Sequence, residues 1–164
     1  MMDVRYINPF LFAVHSVFST IIQVDPKRRG VAVASTPPDP ENLVALIGLS
    51  GAAKGTVALQ LPVSTALAIV NKWLCMEITE VDSTICDGVA EFVNMIAGQA
   101  KATISEGDME PISLGLPSVV HGASFKVDYP GKTTWLEIPF ECELGPFSLR
   151  VTLAMERETA GALI

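Results

Sequence analysis

Phe147-Ser148-Leu149-Arg150-Val151-Thr152-Leu153 alternates apolar and polar side chains without a break. Successive side chains of an extended strand point to opposite faces of its sheet, so Phe147, Leu149, Val151 and Leu153 share one face and Ser148, Arg150 and Thr152 the other. The first face is expected to be buried and the second wet. A sheet of that kind needs a layer to cover it, and the rest of the chain supplies candidates.

Upstream, 112–120 and 133–143 read as two further strands, with Tyr129-Pro130-Gly131-Lys132 and Gly145-Pro146 as turns. Segments 43–49 and 56–61 form another strand pair, a hairpin across Ser50-Gly51-Ala52-Ala53-Lys54-Gly55. A third candidate begins at Val31, separated from 43–49 by the rigid loop Thr36-Pro37-Pro38-Asp39-Pro40. Three segments carry the other period. Ile7, Phe10, Leu11, Val14, Val17, Phe18, Ile21 and Ile22 recur at helical spacing, with Asn8-Pro9 at the start and Asp25-Pro26 at the end. A second helix opens at Pro62, runs through Ala66, Leu67, Ile69, Val70 and Trp73, and fades at Met76 and Glu77. A third spans about 84–105, with Thr84-x-x-Asp87 in the form of a capping box.

The order is helix, three strands, two helices, three strands. It predicts an α+β fold in which helices pack on a largely antiparallel six-stranded sheet. Each half is a helix leading into three strands, which suggests internal duplication. With 164 residues the chain suits a single domain over 1–164.

Composition narrows the function. The formal net charge of −7, from 18 acidic and 11 basic residues, opposes binding to a nucleic-acid backbone. The cluster Lys27-Arg28-Arg29 is too short to reverse that and is expected in a solvated turn. No apolar run reaches the roughly 20 residues of a membrane span, so no membrane insertion is expected. The chain start lacks the pattern of a secretory leader, and a cytoplasmic location follows as the expectation. Cys75, Cys86 and Cys142 have no C-x-x-C spacing and are expected as buried free thiols; no metal site is expected on this chain. His15 and Ser16 are helical neighbours that diverge by about 100°, so they cannot act as a base and nucleophile. Gly48, Gly51 and Gly55 do not form a phosphate-binding loop, and no nucleotide cofactor is indicated.

Chemistry concentrates on the third helix. At about 100° per residue, Ile85, Val89, Phe92, Val93, Ile96, Ala100 and Thr103 fall on one side. Asp87, Glu91, Asn94, Gly98, Lys101 and Ser105 fall on the other, so Glu91 and Asn94 project side by side. An isolated E-x-x-N is commonly no more than the solvated face of an amphipathic helix. Two features weigh against that here. Gly88 and Gly98 each cost about 1 kcal/mol relative to alanine inside a helix, and Asn94 is a mediocre helix former. Glycines flanking the pair suggest a face kept low for the approach of another surface.

The segment D-G-V-A-E-F-V-N-M-I-A-G-Q-A-K, from Asp87 to Lys101, resembles the signature helix of the CheC/CheX/FliY family of chemotaxis phosphatases. The opening D-V-R-Y-I-N-P-F, the stretch L-G-L-P-S-V-V-H-G and the stretch I-P-F-E-C-E-L-G-P-F-S-L-R-V-T-L extend a CheX-like resemblance over nearly the whole chain. The resemblance implies a CheC-like fold and a phosphatase acting on the phospho-aspartate of a CheY-like receiver domain in two-component signalling. It implies that Asn94 orients the attacking water and that Glu91 pairs with the receiver's active-site lysine. Asp87, Gly98 and Lys101 become partner-binding candidates, Asp87 having capping of its own helix as its alternative role. Magnesium would belong to the partner receiver, with no cofactor bound by this chain. Phosphoryl transfer needs positioning and charge stabilisation more than covalent help, which suits an acid and an amide. Orienting one water accounts for about 10- to 1,000-fold.

The first helix reads Phe10-Leu11-Phe12-Ala13-Val14-His15-Ser16-Val17, with no E-x-x-N, so one site per chain is expected. The resemblance further implies a homodimer. The competing expectation is a non-catalytic receiver-binding or flagellar-switch-associated module of the same architecture.

Overall fold

The computed structural model describes residues 6–33, 42–105, 111–127 and 134–155. Helix α1 (Asn8–Val17) carries Pro9 in its first turn, where no intrahelical N–H is needed. It runs into a π-helical turn, Phe18–Ile22, that ends at left-handed Gln23. The hydroxyls of Ser19 and Thr20 donate to the carbonyls of His15 and Ser16, four residues back. Such back-bonding loosens a helix and accompanies the wider turn here. Helix α2 (Val63–Leu74) starts after Pro62 and stops at left-handed Cys75, and α3 (Ser83–Ile104) follows.

Among the described residues there are eight strands: β1 (Lys27–Arg28), β2 (Ala32–Val33), β3 (Asn42–Gly51), β4 (Ala53–Pro62), β5 (Ile112–Leu114), β6 (Ser118–His121), β7 (Leu136–Cys142) and β8 (Gly145–Met155). They fill six positions of one antiparallel sheet ordered β1-β7-β8-β4-β3-β5. The second edge segments, β2 and β6, pair with β7 and β3. The duplication is visible in that order. In each half, one helix leads to a broken edge strand and then a hairpin, and each half's edge strand pairs with the other half's hairpin. The two hairpins meet at β4 and β8, where Val57 faces Val151.

Phe147, Leu149, Val151 and Leu153 lie in the core beneath the helices, as the alternation predicts. The opposite face is less wet than expected. Ser148 and Thr152 are buried, and Trp135 covers Val44 and Ala58 with Leu46 and Phe125 beside them. Arg150 faces Glu137 across the strands and pairs with it at 3.1 Å. Periodicity predicted which side chains share a face, but not that the chain near Trp135 would cover the second one.

Several boundaries moved for reasons of pairing. The expected 50–55 loop is largely strand, because Gly51 pairs with Ile112 and Ala53 with Met155 on the outer neighbours. The turn placed at Gly145-Pro146 falls at Glu143-Leu144, since Cys142 already pairs with Gly145. Lys27 and Arg28 form an edge strand rather than a turn, and Arg29 donates to Glu141 at 2.6 Å. Cys75 is exposed and Cys86 and Cys142 half-buried, so the thiols are free but not deeply buried. The expected 36–40 loop and 129–132 turn lie outside the described residues.

Candidate functional site on helix α3

Helix α3 is held at its N-terminal end and along its inner face. Asn71 of α2 clamps the connection before it, donating to the Ile78 carbonyl and accepting from the Ile78 N–H, both at 2.8 Å. Asp82 then caps the helix by accepting from Ile85 N–H at 2.9 Å. The expected capping box at Thr84 is therefore displaced. The helix starts one residue earlier, and Asp82 has the extended backbone that an N-cap requires. Asp87 lies beyond the first turn, which relieves it of a capping role.

Along the inner face, Ile85, Val89, Phe92, Val93, Ile96 and Ala100 are buried. Thr103, placed by the wheel with them, is exposed in the last turn. Phe92 sits within an aromatic chain. Its ring centroid is 5.0 Å from Trp73 of α2 and 6.3 Å from Phe18, which stacks at 4.3 Å on Phe147 of β8. Phe140 stacks on Phe147 in turn, at 5.1 Å. This chain ties α3 to its neighbours and fixes the rotation of the helix about its axis. Glu91, adjacent to Phe92, is thereby turned outward.

The outer face carries the predicted set. Asp87 and Glu91 are exposed, and Asn94, Gly98, Lys101 and Ser105 are half-buried. Three-residue spacing puts Glu91 and Asn94 on adjacent turns of one side. Among the described residues, no hydrogen bond or ion pair engages Asp87, Glu91, Asn94 or Lys101 through its side chain, whereas Asn71 and Asp82 are hydrogen-bonded at the start of the helix. An acid and an amide standing free side by side can present a negative charge and a non-titrating donor–acceptor to an approaching surface. Two acidic residues one turn apart also make this a locally negative patch. Burial, with Asp87 and Asp82 nearby, pushes the Cys86 thiol above its usual range.

The two glycines part company. A Cβ on Gly88 would stand 2.9 Å from both methyl carbons of Val70, so this glycine lets α2 and α3 pack closely. It is buried and does not belong to the open face. A Cβ on Gly98 would meet only a methyl carbon of Leu114, at 4.0 Å. Nothing inside the fold requires a glycine there.

Among the described residues no group of three His, Cys, Asp or Glu side chains is placed to hold a metal ion. No helix among them is long and apolar enough to cross a membrane. His15 of α1 lies 3.4 Å from Asp25.

Comparison with known proteins finds relatives over most of the chain. Residues 43–141, more than half of the chain, match the family described as chemotaxis phosphatase CheX. The CheY-P phosphatase CheX of Thermotoga maritima is 26% identical over 127 residues, covering 77% of this chain and 81% of that protein. The crystal structure of a chemotaxis protein CheX from Desulfovibrio desulfuricans has a TM-score of 0.79 at 27% identity, covering 93% of this chain and 99% of that one. The CheX–CheY–BeF3–Mg2+ complex from Borrelia burgdorferi contains a chain with a TM-score of 0.79 at 21% identity, covering 92% and 99%, a likeness of fold.

Proposed function

The chain belongs to the CheX family of chemotaxis phosphatases, and from that premise we propose that it hydrolyses the phospho-aspartate of a CheY-like receiver through Glu91 and Asn94. It is a phosphatase whose substrate is another protein. The observation that carries the assignment of residues is the unengaged Glu91 and Asn94 pair on the outer side of an otherwise well-anchored helix.

In this mechanism the electrophile and its magnesium belong to the receiver. Asn94 reaches the phosphoryl group and accepts a hydrogen bond from a water, turning a lone pair of that water toward phosphorus. The water–phosphorus bond forms as the bond to the aspartyl oxygen breaks, leaving inorganic phosphate and a free carboxylate on the receiver. Glu91 pairs with the receiver's lysine and sets the docking angle. Such a transition state asks for alignment and charge placement rather than covalent participation. An amide remains neutral across the working pH range and suits the task. Asp87 and Lys101 extend the contact, and Gly98 leaves room for it.

We also assign the chain to the cytoplasm with its receiver, and to a homodimer formed by pairing at a sheet edge, since an open edge in a monomer is a liability. Sedimentation at micromolar concentration reads the latter.

The functional test is phosphate release from a phosphorylated, magnesium-loaded CheY-like receiver. Intact protein accelerates release; Asn94→Ala loses acceleration while still binding; Glu91→Ala loses affinity as well. Binding without acceleration by the intact protein would instead identify a receiver-binding module.

A further inference from the structure

The edge strand beside β3 is broken in a way that bears on the face of α3. Leu114 of β5 pairs with Leu49, and Ser118 of β6 pairs with Leu46. Two residues of β3, Ile47 and Gly48, therefore oppose three, Gly115, Leu116 and Pro117. This is a one-residue bulge, held by the Gly115 N–H donating to the Gly48 carbonyl at 2.9 Å. The opposite edge repeats it. Arg28 pairs with Phe140 and Ala32 with Glu137, so Ile138 and Pro139 oppose Arg29, Gly30 and Val31, and the Arg29 N–H donates to the Pro139 carbonyl at 2.8 Å. The bulge is a built feature of both halves.

The two copies differ in what they present. The first centres on Gly30 and the second on Leu116, which at 91% exposure is the most exposed large apolar side chain among the described residues. An exposed leucine alone carries no meaning. Its place does. Leu114, two residues before it, is the residue nearest the open side of Gly98, and Gly98 lies one turn, about 6 Å, along α3 from Asn94. Bulges commonly re-aim side chains beside functional sites. Leu114 to Ser118 carries no charge, so this corner offers an apolar contact on a chain of net charge −7.

We propose that Leu116 is a docking and specificity residue for the receiver, an apolar anchor at the rim of the Glu91/Asn94 face. The proposal rests on the function assigned above and deepens it. A partner seated on Glu91 and Asn94 and passing over Gly98 meets the bulge next, so the occupant is the receiver itself. The matching element on that partner is an uncharged, apolar surface close to its phosphorylation site. Being apolar, the contact contributes equally at low and high salt, unlike the ion pair of Glu91.

The experiment measures KM and kcat for phosphate release from the phosphorylated receiver with intact protein, Leu116→Ser, Leu116→Met and, as the matched control on the other bulge, Val31→Ser. Leu116→Ser is expected to raise KM about ten- to a hundredfold, the range for losing a buried leucine contact, with kcat within about twofold. The factor should hold at 50 and 500 mM salt. Leu116→Met should return KM to within about threefold of intact protein, and Val31→Ser should match intact protein. Thermal midpoints should move by no more than about 2 °C, because the side chain is solvated. An unchanged KM for Leu116→Ser, an equal rise for Val31→Ser, or a rise traced by sedimentation to loss of self-association would overturn the proposal and leave the phosphatase assignment standing. Absence of acceleration by intact protein would overturn both.

Discussion

Gly88 lies against Val70 so closely that an added Cβ would stand 2.9 Å from both valine methyl carbons. Valine has a stiff χ1 and cannot swing aside freely. Gly88→Ala is therefore expected to lose more to overpacking, about 1–3 kcal/mol, than it gains in helix propensity. Its thermal midpoint should fall, and Val70→Ala in the same chain should recover part of the loss. A double-mutant cycle in denaturant measures that coupling.

Gly98 has the opposite character, and the same substitution should have the opposite sign. Gly98→Ala is expected to stabilise the fold by about 0.5–1 kcal/mol, since helix propensity improves and nothing is displaced. On the proposed function it also raises KM for the phosphorylated receiver. A more stable protein that binds its partner less well would separate clearance from packing; stabilisation with unchanged KM would remove Gly98 from the docking face.

Phe92 couples the stability of the fold to the orientation of the site. Removing its buried ring in Phe92→Ala should cost about 3–5 kcal/mol and release the α2–α3 contact at Trp73. Phe92→Leu keeps most of the volume and should cost less. If the aromatic chain sets the rotation of α3, Phe92→Leu will lower kcat by more than its small loss of stability accounts for, at a temperature where it remains folded.

The Cys86 thiol is pushed up by burial and by Asp87 and Asp82. A raised thiol is less ionised at a given pH, so Cys86 should react with a thiolate-selective reagent at pH 8 more slowly than the exposed Cys75. Asp87→Asn removes one of the raising charges and should speed Cys86 labelling. Peptide mapping of the modified protein follows both sites. Faster labelling of Cys86 than of Cys75 in the intact protein would contradict the assignment.

The parts of this fold that were legible in the sequence are those decided within one element. The alternation of 147–153 predicted its faces because β8 packs one side against helices, and the inner and outer faces of α3 followed from its period. What could not be read depended on a partner. Gly30 and Gly115 mark a break in each edge segment, but that the break is a one-residue bulge is a register shift set by the partner strand. Gly88 and Gly98 look alike in the sequence because the residue that distinguishes them, Val70, belongs to another helix. Asp82 displaced Thr84 as the cap because helix entry is set by the Asn71 clamp. At the site, spacing established that Glu91 and Asn94 share a face, whereas their roles came from the resemblance to the phosphatase family.

In the proposed mechanism Asn94 does the chemistry on a receiver that Glu91 helps to hold. Its most direct test is the rate of phosphate release at saturating phosphorylated receiver for Asn94→Ala against intact protein, with receiver affinity measured in parallel. The expected result is a kcat lower by about 10- to 1,000-fold at an affinity within about threefold of intact protein. Unchanged kcat in Asn94→Ala at full saturation would contradict it.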